Sequence, residues 1–162
     1  MKRLGSILRS FFVSLEFLVS LGGLAVFWFY PAQLAWLSNR IGSQAEVLKY
    51  AGFLAAGLLV YDAKVVRSIL LPDADKRTVL QGWDFYWNLK CGAVTGLIYG
   101  ALFALAGVVA LLFDWKAPEA YQSAFLLTGV IGGFTVSGSL YFANIRIEEL
   151  FRQHWKQAPA KE

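Results

Sequence analysis

Apolar residues in this chain gather into long uninterrupted runs rather than alternating with polar ones. A helix needs about 20 residues to cross the ~30 Å hydrocarbon layer of a bilayer. The run from Ile7 to Tyr30 has 24 residues, Cys91 to Phe113 has 23 and Ala124 to Ile145 has 22, with Arg9 and Glu16 their only charged residues. Each predicts a membrane-spanning helix. A fourth run, Tyr50 to Tyr61, has 12 residues, about 18 Å of helix at ~1.5 Å per residue. To span, it must extend over about 47–70, with Lys49 and Arg67 snorkelling to opposite interfaces and Asp62 and Lys64 held in the hydrocarbon or at its boundary. A short buried or re-entrant helix is the alternative. The pattern therefore predicts an all-α integral membrane protein, a four-transmembrane-helix bundle in one domain. Its spans lie at about 7–30, 47–70, 89–113 and 124–145, with a connection at 71–88 and a tail at 146–162.

Composition agrees with this pattern. The chain is 57% hydrophobic and 16% charged, with a mean hydropathy of +0.52, against about 45–50% apolar (Gly included) and about 25% charged in soluble domains. A single cysteine, Cys91, excludes a disulfide framework and a thiolate metal cluster. The first run follows Met1-Lys2-Arg3 but is too long for a signal-peptide core, contains Glu16 and lacks a small-x-small cleavage site, so it reads as a retained span.

Charge placement predicts orientation, because cytoplasmic loops carry the excess of Lys and Arg. Twelve of the 15 cations fall on one side of a four-span chain: Lys2, Arg3, Arg9, Lys64, Arg67, Lys76, Arg77, Lys90, Arg146, Arg152, Lys156 and Lys161. Arg40, Lys49 and Lys116 fall on the other. Both termini and the middle connection are thus expected in the cytoplasm, with the loops at 31–46 and 114–123 facing outward. Trp28, Tyr30, Trp36, Tyr50, Trp115 and Tyr121 would mark the outer interface, and Trp83, Tyr86, Trp87, Tyr141 and Trp155 the inner one. Within the connection, Pro72 stops the second helix. Val79, Leu80, Trp83, Tyr86, Trp87 and Lys90 then recur at helical spacing, an amphipathic segment leading into the third span. Lys76, Arg77, Trp83, Trp87, Arg152 and Lys156 make this face a surface for anionic lipid headgroups or an acidic cytosolic protein. The basic balance follows from the same bias and does not imply nucleic acid.

Candidate chemistry is sparse. The sequence has no phosphate-binding glycine loop, no paired histidines and no nucleophile elbow. The reading is therefore of a protein that is not an enzyme and has no cofactor and no metal. His154 and Cys91 read as an interfacial polar residue and a packing residue. The intramembrane charges are more informative, since an ionisable side chain in hydrocarbon faces the bundle interior or a watery cavity. Glu16 shares a helical face with Arg9, Ser20 and Gly23. Two arrangements suit it: a buried ion pair with Lys64, with Asp62 meeting Lys90 or Arg146, or a protonated carboxyl bonded to a hydroxyl such as that of Ser137. Small residues form a second pattern, Gly92, Gly96, Gly100 and Ala104 on one span and Gly129, Gly133 and Ser137 on another. Spacing of four lets helix backbones approach closely in lipid.

In size and span count the chain resembles the four-helix colicin immunity proteins, the phage-exclusion proteins and the membrane components of phage-defence operons, a likeness of architecture that carries no residue across. Short outer loops, a basic and aromatic inner face and the lack of a catalytic set lead to the expectation of a bacterial inner-membrane protein acting by association as a scaffold, sensor or immunity-type subunit, in a homo- or hetero-oligomer. The competing expectation is a homo-oligomeric channel or small transporter with Glu16 and Asp62 on its path.

Overall fold

A computed structural model describes residues 14–42, 45–73, 76–77, 80, 82–83, 85–113 and 119–157, without the side chains of 45, 47–49 and 154–157. Among those residues the regular structure is helical and no strand occurs. Five helices run in the order α1 (Leu15–Phe29), α2 (Pro31–Gly42), α3 (Ala45–Leu70), α4 (Tyr86–Leu111) and α5 (Ala120–Gln157). By length and composition, α4 and the part of α5 up to Gln153 can each cross a membrane. The α1–α2 pair passes the same test only jointly and bends by 98° at Tyr30, as a broken span or a re-entrant loop does. With 26 residues, α3 is about 39 Å long, but its charges keep it from passing on apolarity.

α1 begins where the Ser14 hydroxyl accepts the Phe17 N–H at 3.1 Å, a serine N-cap with Glu16 in the first turn. The residues before Ser14, Arg9 among them, lie outside the described part. Where the sequence reading placed an outer loop, residues 31–42 form α2. The reason is local: Pro31 occupies the first helical position, where its missing N–H costs nothing, and Leu34, Ser38 and Ile41 recur on one face. That face packs on α5. The buried Ser38 hydroxyl donates to the Glu119 carbonyl at 2.7 Å and accepts the Ser123 N–H at 3.2 Å, while the Ser123 hydroxyl donates to the Leu34 carbonyl at 2.7 Å. Ser38→Ala takes from the buried Ser123 N–H its side-chain acceptor and leaves the Glu119 carbonyl with the Gln122 N–H alone, so a loss of about 1–3 kcal/mol is expected, read by reversible unfolding in mixed micelles.

The connection also departs from expectation. Lys76, Arg77 and Leu80 are helical, but Gly82 and Phe85 are in turns and α4 starts afresh at Tyr86, so the amphipathic lead-in is not continuous with the third span. The chain turns at Gly82, and the Trp83 N–H closes back on the Leu80 carbonyl at 3.1 Å. Val79 lies outside the described residues. The connection is tied to α3 where the Tyr86 hydroxyl donates to the Ile69 carbonyl at 3.0 Å.

α3, α4 and α5 pack on one another, and α1 and α2 lie against α5. Val65, Val66, Ile69, Tyr99, Phe103, Val136 and Leu140 form the main buried cluster, and Ala110 and Leu126 a smaller one near the far end. The outer flanks are apolar, with Leu24, Phe53, Leu102, Leu105, Phe134 and Phe142 exposed.

Candidate functional site

Glycines set how closely the three central helices approach. A Cβ on Gly129 of α5 would lie 2.7 Å from the Gly107 nitrogen and 2.9 Å from the Phe103 carbonyl oxygen of α4. Gly107 in turn faces α3, where its Cβ would meet Ala55 at 3.1 Å and the Gly52 carbonyl at 3.2 Å. Gly133 faces Leu58 and Ala55 of α3, and Gly96 faces Leu140 and Val136 of α5. Gly92, the first of the expected row, meets nothing within 4 Å. Gly107 and Gly52 complete the contact and were not singled out from the sequence, since neither belongs to the rows of four read there.

Inside this close-packed region lies Asp62, fully buried. Its Oδ1 accepts a hydrogen bond from the Ser137 hydroxyl of α5 at 2.7 Å. Its Oδ2 has no hydrogen-bond partner and points at Gly100 of α4, whose Cβ would stand 3.4 Å away. Three helices thus surround one carboxyl, and a glycine makes the room for it.

The expected ion pairs are not formed. Lys64 is exposed on α3, whereas α1, which carries Glu16, packs on α5 and α2, so Glu16 and Lys64 do not meet. Asp62 and Lys64 are two residues apart and cannot share a helix face. Nor does Asp62 reach Lys90 or Arg146. The Lys90 ammonium sits 4.4 Å from the Tyr86 ring centroid, and Arg146 pairs with Glu149 at 3.4 Å on its own helix. Ser137 serves Asp62 rather than Glu16.

Glu16 is 6% exposed and lines a cleft of about 300 Å³ between α1, α4 and α5. Ser14, Asn88, Thr95 and Ser139 add polar groups to the wall, and Leu89, Leu140 and the open face of Gly92 complete it. Tyr99 borders this region, sharing a side-chain hydrogen bond with Ser14 and lying in the field of the Glu16 carboxyl. Gly96 lines the cleft and Gly100 meets Asp62, so the two buried acids stand one turn of α4 apart.

Asn88 and Leu89 of the cleft wall lie near the end of the bundle where the cations collect. There Lys76 of the connection bridges to Glu148 of α5 and lies 5.8 Å from the Phe151 ring centroid. Arg77, Trp87 and Arg152 are exposed, and Trp83 is half-buried against the core. Lys156 is in the last turns of α5, and its side chain lies outside the described residues, as do those of His154 and Trp155. No cluster of three or more metal-ligating side chains occurs among the described residues. Compared with protein-family models, curated proteins and solved structures, the chain matches none.

Proposed function

We propose that the chain is a four-span protein of a bacterial inner membrane, with both termini and the 71–88 connection in the cytoplasm, acting through association as a scaffold, sensor or immunity-type accessory subunit. The carrying observation is the gathering of cations at one end of a bundle whose flanks are apolar. Lys64, Arg67, Lys76, Arg77, Lys90, Arg146 and Arg152 stand toward the end formed by the start of α4 and the extension of α5, while Arg40 stands at the end of α2. Such an arrangement suits apolar flanks in lipid and a basic face against anionic headgroups or an acidic protein. α3 crosses as the least apolar of the four, its Asp62 sheltered by α4 and α5 and its Lys64 and Arg67 reaching toward the headgroups. The 38 residues of α5, about 57 Å of helix, leave a tail beyond the ~30 Å core.

A channel along Glu16 and Asp62 is the second reading. Against it stands the complete burial of Asp62 within a single chain, which leaves that carboxyl off any surface shared between copies. The discriminating experiment is the intact mass of the complex extracted from native membranes, paired with ion flux in liposomes. Association predicts a stoichiometric partner or a defined set of copies of the 18.0 kDa chain and no flux at any potential. A lone chain, or voltage-driven flux abolished by Asp62→Asn, would overturn it.

A further inference from the structure

The outer face of α3 takes no part in the contacts that hold the bundle together. Ala55, Asp62, Val66 and Ile69 turn inward and are buried. On the opposite side Phe53, Gly57, Val60, Lys64 and Arg67 fall within about a quarter turn of one another, and all are exposed. A Cβ on Gly57 would meet nothing within 4 Å, so the stripe dips between Phe53 and Val60. Its chemistry changes along its length, apolar from Phe53 to Val60 and cationic at Lys64 and Arg67. Phe53 stands 11 residues before Lys64, about 16 Å of helix. That is half of the ~30 Å hydrocarbon core, the reach of one leaflet's tails. The two cations lack an acidic partner among the described residues. The ion pairs there are Lys76–Glu148 and Arg146–Glu149, and Asp62, the acid nearest in sequence, is buried on the other face and bonded to Ser137. An ammonium and a guanidinium one turn apart suit a phosphodiester, which accepts charge-assisted bonds from both. A second copy in the same membrane orientation suits the face poorly, because a two-fold interface there sets Lys64 and Arg67 against their own counterparts.

We propose that this face of α3 binds an anionic phospholipid, its phosphate held between Lys64 and Arg67 and an acyl chain lying along Val60, Gly57 and Phe53. A lipid of net negative charge is selected because a zwitterionic one brings its own ammonium to its phosphate. The site rests on the membrane reading above and narrows its basic face to one lipid position on one helix.

The test uses the full-length chain in a neutral detergent, where native mass spectrometry compares retained dioleoyl phosphatidylglycerol with dioleoyl phosphatidylcholine. The wild type is expected to hold phosphatidylglycerol in preference. Lys64→Gln with Arg67→Gln should weaken that retention about tenfold or more, while Lys64→Arg with Arg67→Lys, which keeps both charges, should preserve it. Arg77→Gln with Arg152→Gln removes two exposed cations from the same end but off this stripe, and should leave retention unchanged. Extraction of membranes with alkaline carbonate tests the membrane reading by itself. A chain that stays in the washed membranes but holds both lipids equally overturns the lipid site alone, as does an equal loss of phosphatidylglycerol from the Arg77 and Arg152 variant. A dimer that only Lys64→Gln with Arg67→Gln dissociates also overturns it, since the face would then hold a second copy. A chain released by carbonate overturns the site together with the membrane reading.

Discussion

Gly129→Val is expected to drive α4 and α5 apart and to destabilise the bundle. The added atoms would fall against the Gly107 nitrogen and the Phe103 carbonyl, 2.7 and 2.9 Å from the Cβ alone. Backbone atoms have no rotamer to escape into, so the helices must separate. α3 is affected too, because Gly107 has little room to shift toward it: a Cβ there would already stand 3.2 Å from the Gly52 carbonyl. Overpacking of this kind costs about 1–3 kcal/mol and sometimes more. Gly92→Ala is the matched control, also glycine to a larger residue in a helix but with nothing within 4 Å. There the helix gains up to about 1 kcal/mol in propensity. Unfolding of both variants in mixed micelles reads the contrast, and equal behaviour would show that the α4–α5 contact is looser than 2.7 Å implies.

Ser137→Ala is expected to be destabilising by about 1–3 kcal/mol, the usual cost of stranding a buried polar group and greater when the group is charged. The loss arises because Asp62 Oδ2 already lacks a partner, and removing the Ser137 hydroxyl strands Oδ1 as well. Replacing both residues tests the cause. In Asp62→Val with Ser137→Ala no polar group remains to be stranded, and buried polar pairs replaced by apolar residues are often neutral in stability. The double variant should therefore recover most of what Ser137→Ala loses. Strictly additive losses would mean that the two side chains act independently, contrary to their 2.7 Å bond.

Apolar runs announce helices well, and α4 and α5 fall where their runs predict because nothing in either run interrupts an apolar helix. The close approach of helices is also written in the glycines, but a spacing of four does not say which glycine touches a backbone. Gly92 and Gly129 look alike in sequence, and one faces a cleft while the other meets a neighbouring helix. Partners of the buried acids were less legible. Charge counting pairs Glu16 with Lys64 and Asp62 with a cation, whereas packing puts Lys64 on the outside and brings a neutral serine to Asp62. Depth along a helix is readable from spacing, but rotation about the helix axis depends on which neighbours it packs against. α2 was missed because a short run after Trp28-Phe29-Tyr30 resembles a loop by length. Its signals were Pro31 and the spacing of Leu34, Ser38 and Ile41.

In the arrangement proposed above, α3 crosses the membrane and the basic end of the bundle lies on one side of it. Cysteine accessibility tests it most directly, since Cys91 is the sole cysteine and is buried. In a Cys91→Ala background, Arg40→Cys, Arg77→Cys and Arg152→Cys each place one thiol at an exposed position. A membrane-impermeant maleimide applied to intact cells should label Arg40→Cys alone, with Arg77→Cys and Arg152→Cys reacting only after permeabilisation. Labelling of Arg40→Cys and Arg77→Cys from the same side would contradict the account, because α3 would then not cross the bilayer.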